Sequence, residues 1–200
     1  MKLTVRALSK TLSRALPTKT LGLFHEDLVT ARRRDPAATS ALEIALTYPG
    51  VHALWTHRVS HALWSHGART PARVLSSMAR AVTGVDIHPE ATIGRRVFID
   101  HATGVVIGQT AEVGNDVVIF HGVTLGGVAM IPGKRHPTVG DNATIYSGAS
   151  ILGGKTVIGA NSVIGGNSFI TESVAPNTKA STETPRMIFR VAQPKPGDEK

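Results

Sequence analysis

Between Gly84 and Ile170 an aliphatic side chain returns every six residues, a period that neither an α-helix nor a half-buried strand possesses. Ile87, Ile93 and Ile99 form one register, and Ile107, Val113, Ile119 and Leu125 a second. Val139, Ile145 and Ile151 form a third, and Ile158, Ile164 and Ile170 a fourth. Glycine often follows the repeated aliphatic, as at Ile93-Gly94, Ile107-Gly108, Val139-Gly140 and Ile164-Gly165. Sixteen of the chain's 20 glycines lie in this half, which therefore turns too often to be a helix bundle. A six-residue repeat predicts a parallel β-helix. Each hexad supplies a short strand and a corner, three hexads close one triangular coil, and the aliphatic points inward onto its equivalent one coil away. Three interruptions break the beat: Asp100–Gly104, the segment Gly126–Pro137, and one extra residue near Gly153-Gly154. Breaks in a solenoid are where loops leave the stack, often on the binding face. The first two breaks contain histidine.

The preceding residues, 1 to about 82, follow a different rule. Val51, Leu54, Trp55, Val59, Ala62 and Leu63 recur at three and four, which predicts a helix with one apolar stripe. Thr70-Pro71 reads as an N-cap followed by proline at the first helical position, after which Val74, Leu75, Met78 and Val82 face one way. Pro36 and Pro49-Gly50 punctuate the earlier helices.

Composition narrows the chemistry. With no cysteine the chain has no disulfide, no thiolate ligand and no thiol nucleophile, which fits a cytoplasmic protein. No apolar run is long enough to span a membrane. The net charge of +8 suggests polyanionic partners such as phosphorylated cofactors. Arg32–Arg34 is the only dense basic run and no aromatic interleaves it, so nucleic-acid binding is not expected. Lys2, Arg6, Lys10, Arg14 and Lys19 precede the first acidic residue, Glu26; this is read as a solvated N-terminal helix in preference to a transit peptide.

The polar residues gathered at the breaks are Asp100, His101, Arg135 and His136, with Asp35, Asp86, His88 and His121 as further candidates. A histidine acts as a general base near neutral pH when a carboxylate fixes its tautomer and supports the imidazolium. Adjacent side chains on a strand point to opposite faces, so Asp86, about one coil earlier, is the expected orienter of His101 and Asp100 is left to meet a substrate cation. The planar fork of Arg135 suits a carboxylate. Together the set matches an amino-acid substrate.

The stretches VDIHPEATIGRR, FIDHATGVVIG, GVTLGG, GKRHPTVGD and ILGGKTVIGANSVIGGN resemble those of serine O-acetyltransferases, hexapeptide-repeat acyltransferases that open cysteine biosynthesis. The similarity runs from Asp35-Pro36 to about Thr178. It implies a mixed α + β fold: a helical region over 1–82, a left-handed parallel β-helix over 83–178 with an excursion loop at 126–137, and a tail over 179–200. By this resemblance His101 is the general base and Asp86 orients it, while Asp100 and Asp35 hold the substrate amine and hydroxyl region and Arg135 and His136 clamp the carboxylate. The resemblance implies acetyl-CoA as co-substrate and no metal, with contacts near Gly127, Ser147, Gly166, Thr178 and Lys179 in the groove between neighbouring β-helices. It also implies a homotrimer with each site built between two subunits. Many members stack trimers into hexamers through a long helical N-terminus, and only 34 residues precede Asp35 here.

Three features depart from the family pattern. Gln109 stands where relatives commonly carry Glu; the excursion reads GGVAMIPGKRH where GGTGK is usual; and the tail lacks the GxPA segment and the terminal isoleucine that inserts into O-acetylserine sulfhydrylase, so docking to that partner is not expected. The competing readings are an acetyltransferase of a related hydroxy amino acid such as homoserine, a zinc-dependent carbonic anhydrase of the hexapeptide type, and a non-catalytic module.

Overall fold

The computed structural model describes residues 18–182. The basic segment from Lys2 to Arg14 and the tail from residue 183 onward lie outside the described residues. Four helices precede fourteen short strands: α1 (Thr18–Arg34), α2 (Ala41–Thr47), α3 (Pro49–Ser65) and α4 (Arg69–Thr83).

The strands line three walls of a prism, all paired in parallel. The first wall holds β1 (Asp86–Ile87), β4 (Val106–Ile107), β7 (Thr124–Gly126), β10 (Ser150–Leu152) and β13 (Phe169–Ile170). The second holds β2 (Thr92–Ile93), β5 (Glu112–Val113), β8 (Thr138–Val139) and β11 (Val157–Ile158). The third holds β3 (Phe98–Asp100), β6 (Val118–Phe120), β9 (Thr144–Ile145), β12 (Val163–Ile164) and β14 (Lys179–Ala180). The chain visits the walls in rotation, with a left-handed sense, as far as β13; it then reaches β14 past a single bridge on the second wall, Ile158 to Val174. The last strand carries the coil past Thr178, where the sequence pattern ends it.

Pairing offsets show where the six-residue beat slips. Val106 opposes Thr124, the 18 residues of three hexads. Asp86 opposes Val106, Glu112 opposes Thr138 and Thr138 opposes Val157, offsets of 20, 26 and 19. The surplus residues fall at Asp100–Gly104, in the excursion, and at Gly153-Gly154, the three predicted breaks. Between them the repeated aliphatics stack in one core. Twelve of the thirteen are buried, from Ile87 to Ile164, and Ile170 at the far end is partly covered. Burying a side chain of this size is worth about 1.5–3 kcal/mol, so the column of aliphatics is the main reason the coil holds.

Each corner has its own chemistry. Between the second and third walls, Asp116, Asn142, Asn161 and Asn177 adopt left-handed backbone (φ 57–59°), which their short polar side chains tolerate. Asn161 Nδ2 donates to Asn177 Oδ1 at 3.0 Å and Asn142 Nδ2 to Asn161 Oδ1 at 2.9 Å, a ladder along this edge. Between the third and first walls lie His101, His121, Ser147 and Gly166, here called the histidine corner. Between the first and second walls lie Glu90, Gln109, the excursion and Gly153-Gly154, here called the excursion corner.

The helices cover the first coils. Ala53 and Leu54 of α3 join the β-helix core and close its N-terminal end, as terminal caps of solenoids do. Phe98 and Val118 of the third wall pack with Ala31, Ile44 and Val51. Gly50 is needed here because a Cβ would run into the Ile99 carbonyl. Buried Arg58 of α3 donates to Ile93 O at 2.6 Å and Gly94 O at 2.8 Å, and meets Asp27 of α1 at 3.5 Å.

One helical expectation is corrected, and the stripe of the last helix gains a direction. Helix α4 starts at Arg69 with Ala68 as its cap and no side-chain cap bond, not at Thr70-Pro71. Pro71 is tolerated within the first turn because that turn's N–H groups have no intrahelical partner. The stripe Val74, Met78 and Val82 faces outward, 55%, 61% and 82% exposed, while Ala72, Ser76 and Thr83 are buried. Small residues let α4 approach β1 closely, with Ser76 Oγ donating to Ile87 O at 3.0 Å. Helix α3 buries more than one stripe, including polar His57, Arg58 and Ser60, because it lies between the other helices and the coil.

Candidate active site

The histidine corner is strained where it is most polar. His101 and Ala102, the residues just past β3, both take positive φ (55° and 59°), whereas Gly122 and Gly148 serve at the equivalent corner of later coils. Left-handed backbone at residues that disfavour it is a signature of functional positions. It also turns His101 out of the strand, so the alternation rule that separated it from Asp100 does not apply. His101 Nε2 lies 3.8 Å from Asp100 Oδ2, and the ring is 75% exposed. His121, one coil on, meets it edge-to-face with centroids 5.8 Å apart. Asp86 instead pairs with Arg80 at 3.2 Å, and among the described residues no hydrogen bond joins it to His101. That pair is largely exposed, and such pairs are worth about 0–1 kcal/mol, a small cost to release Asp86.

Asp35 and Asp100, far apart in sequence, line one cavity of about 350 Å³ with Arg34, Phe98, Phe120 and Tyr146. The loop after α1 brings Asp35 there: its Oδ1 accepts from Ala37 N at 2.8 Å and its Oδ2 from Tyr48 Oη at 2.7 Å. That bond, with burial and the Asp35 charge, raises the Tyr48 phenol to about 12, so it stays a donor. The phenol leaves acceptor capacity on Asp35 for a cation. Phe120 and Tyr146 stack at 5.0 Å on one side of the cavity. Tyr48 and this stack were not singled out from the sequence; they become neighbours of Asp35 and Asp100 only when the helices dock and the coils stack.

Arg135 and His136 are not there. They close the excursion, at the excursion corner, over the turn between β4 and β5. Thr110 Oγ1 accepts from Arg135 N at 3.0 Å and His136 N at 3.1 Å, and lies 2.9 Å from His136 Nδ1. Thr110 N donates to the same Nδ1 at 3.1 Å. Gly108 is required beneath, because a Cβ would overlap the His136 ring. Burial, then Arg135 and Lys134, lower the His136 pKa from its ordinary 6.5. Arg135 Nη2 donates to Gln109 Oε1 at 2.9 Å, and Gln109 Nε2 donates to Glu90 Oε2 at 2.6 Å. Thr110 and Glu90 carried no sequence signal for this role beyond their place at hexad corners.

The residues expected to meet acetyl-CoA divide the same way. Ser147 and Gly166 are one rung apart at the histidine corner, where Asn167 N donates to Ser147 O at 2.9 Å. Thr178 and Lys179 lie exposed at the end of the third wall. Gly127 sits at the excursion corner, and a Cβ there would lie 3.2 Å from Arg135 O. Beside it the excursion and Leu152–Thr156 enclose about 350 Å³ walled by Val128, Ala129, Ile131 and Leu152.

The four histidines of the zinc reading are similarly dispersed. His101 and His121 share one corner, His136 lies at another, and His88 packs on Trp64 at 5.1 Å. Burial first and then Arg73 push the His88 pKa down to about 4. Among the described residues no group of three or more His, Asp or Glu side chains is placed to hold a metal ion. No described helix is long and apolar enough to cross a membrane.

No family model matches the chain. Curated relatives do: the serine acetyltransferase of Mycobacterium tuberculosis is 63% identical over 119 residues, 60% of this chain and 52% of the relative. That of Bacillus subtilis is 51% identical over 123 residues, 62% and 57% of the two chains. The chain thus spans a little over half the length of the curated relatives it matches. Solved structures are matched more fully. The Neisseria gonorrhoeae serine acetyltransferase in complex with serine superposes with a TM-score of 0.80 at 41% identity, over 88% of this chain and 72% of that one. The soybean serine acetyltransferase apoenzyme does so at 0.80 and 40%, over 94% and 74%. Matched at 40–41% identity over more than two thirds of these solved relatives, the chain belongs to the serine acetyltransferase family of hexapeptide-repeat proteins.

Proposed function

We propose that the protein transfers the acetyl group of acetyl-CoA to the hydroxyl of L-serine, giving O-acetyl-L-serine and free CoA. The observation that carries this reading is the cavity shared by Asp35 and Asp100 beside His101, which offers two carboxylates to an ammonium group next to an exposed imidazole. The complementary clamp, Arg135 and His136, stands at another corner of the same prism. One chain does not bring the two together; two copies with their β-helices side by side can. We therefore place the active site between neighbouring subunits of a homotrimer, as the family resemblance implies.

In that site the serine ammonium lies against Asp35 and Asp100, and its carboxylate against Arg135 and His136 of the neighbour. His101 takes the hydroxyl proton as the serine oxygen attacks the thioester carbonyl. The carbon–sulfur bond then breaks, and the CoA sulfur takes the proton back from the imidazolium. Asp86, once free of Arg80, is the carboxylate that steadies this imidazolium. Positioning supplies most of the acceleration and base catalysis about 10²–10⁴-fold. The CoA arm runs along the histidine corner past Ser147 and Gly166 to Thr178 and Lys179, with Gly127 facing it from the other subunit.

The direct test is release of free thiol from acetyl-CoA in the presence of L-serine, L-homoserine or L-threonine. Serine is expected to be turned over fastest, with His101→Ala at least about 100-fold slower while the assembly is unchanged. Faster turnover of homoserine, or full activity in His101→Ala, sinks the reading.

A further inference from the structure

We infer that Gln109 and Glu90 form a relay that sets the orientation of the Arg135 guanidinium, and so determines how tightly the substrate carboxylate is held. This rests on the assignment of Arg135 to that carboxylate under the proposed function.

The chemistry of the three groups leaves one arrangement. A guanidinium only donates and a carboxylate only accepts, so the amide between them must turn its oxygen to Arg135 and its nitrogen to Glu90. That is the pattern present: Arg135 Nη2 to Gln109 Oε1 at 2.9 Å, Gln109 Nε2 to Glu90 Oε2 at 2.6 Å. Gln109 lies on the turn after β4 and Glu90 on the equivalent turn one coil earlier, so the relay is anchored on two rungs of the rigid prism. Arg135 belongs to the excursion, whose apolar side chains are mostly exposed: Val128 66%, Met130 98% and Ile131 55%. Within the excursion the Arg135 side chain has, among the described residues, one hydrogen bond, from Nη1 to Ile131 O at 3.5 Å. Its aim therefore comes from the prism. The relay engages Nη2 alone, so Nε and the N–H of Nη1 that does not face Ile131 O stay available for an incoming carboxylate.

The relay explains why glutamine suits position 109 in this chain. A glutamate there would face Glu90 at hydrogen-bond distance, and two carboxylates so placed repel until one takes up a proton. Gln109 and Glu90 thus belong together, and exchanging their side chains should preserve the relay. The amide, moved to position 90, would donate to the carboxylate, moved to position 109, and that carboxylate would accept from Arg135.

The experiment is steady-state kinetics of the full-length assembly with whichever hydroxy amino acid the thiol-release panel shows to be turned over fastest. Gln109→Glu and Gln109→Ala are each expected to raise KM for the amino acid about tenfold. Their kcat should stay within about threefold and KM for acetyl-CoA should not move, the signature of lost uniform binding. The double exchange Glu90→Gln/Gln109→Glu should bring KM back to within about threefold of the unsubstituted protein, a rescue that a merely structural role would not give. In Gln109→Glu alone, KM should also fall as pH is lowered from about 8 to about 6, when the carboxyl pair holds a proton. Equal thermal midpoints for all variants exclude misfolding. Single variants with KM within twofold of the unsubstituted protein overturn the relay alone, as does a double exchange as impaired as Gln109→Glu. A panel on which nothing is turned over sinks the relay and the proposed function together.

Discussion

The Thr110 hydroxyl has one proton to give, and its two backbone donors decide where that proton goes. Because Oγ1 accepts from the N–H groups of both Arg135 and His136, its own hydrogen must go to His136 Nδ1, which also receives the Thr110 N–H. With two donors on Nδ1, the neutral ring carries its hydrogen on Nε2. His136 thus presents a donor fit for a carboxylate, and burial, with Arg135 and Lys134 nearby, lowers its pKa and so favours the neutral ring. Replacing Thr110 by Val removes this arrangement and leaves two N–H groups without an acceptor, at about 1–3 kcal/mol each if they stay dry. Thr110→Val should raise KM for the amino acid at least about tenfold, whereas Thr110→Ser stays near the unsubstituted value. If Thr110→Val left KM unchanged, the hydroxyl would have no part in the clamp. Of this neighbourhood, the sequence pattern picks out Arg135 and His136 because they sit in a coil break with chemistry-bearing side chains. It is silent about Thr110, since a threonine at a hexad corner looks like any other turn residue until the excursion folds back over it.

Among the elements, α1 is held to α3 by a buried ion pair with an incomplete set of partners. Among the described residues Asp27 Oδ2 and Arg58 Nε have no hydrogen-bond partner, and burial, opposed by Arg58, raises the Asp27 pKa from 3.8 to about 6. The folded protein therefore binds this proton more tightly than the unfolded chain does. The resulting stability is fully present below about pH 4 and is lost as pH rises through about 6. Asp27→Asn has no such proton to lose. Between about pH 4.5 and 7 the unsubstituted protein should lose on the order of 1–3 kcal/mol of unfolding free energy relative to Asp27→Asn, read from urea denaturation at the two pH values. A difference that does not change with pH would mean that Asp27 is charged throughout. Helical periodicity located α3 well and drew the apolar stripe of α4, which faces away from the prism. The spacing of Val74, Met78 and Val82 defines a stripe without saying what covers it, and α4 packs on β1 through its small residues instead. Such a choice is made by tertiary fit, which a single helix does not encode.

For the whole molecule, the separation of His101 from Arg135 makes a quantitative demand. If each active site takes the histidine corner from one subunit and the excursion corner from the next, His101→Ala and Arg135→Ala are each nearly inactive alone. Co-assembled in equal amounts, they regenerate intact sites at about a quarter of all positions, since each half must come from the subunit that keeps it. Recovery of roughly that fraction in mixed assemblies, against none in mixtures of preformed ones, is the expected result; no recovery would put the whole site within one chain. The prism itself was legible almost completely, because a core that repeats every six residues fixes its own register. Which side chains gather at each corner was not, because the backbone turn at His101, the docking of Asp35 and the fold-back of the excursion are reported by no spacing rule. One property of the prism reaches further. Offsets of 20, 26 and 19 are absorbed wholly at corners, and the rungs on either side remain aligned. Corner length is therefore nearly free of the constraint that the core imposes on the walls. Loops at these edges can lengthen, shorten or exchange side chains with little penalty to folding, so new substrate preferences are open to such a chain through insertions that a more interwoven fold would not survive.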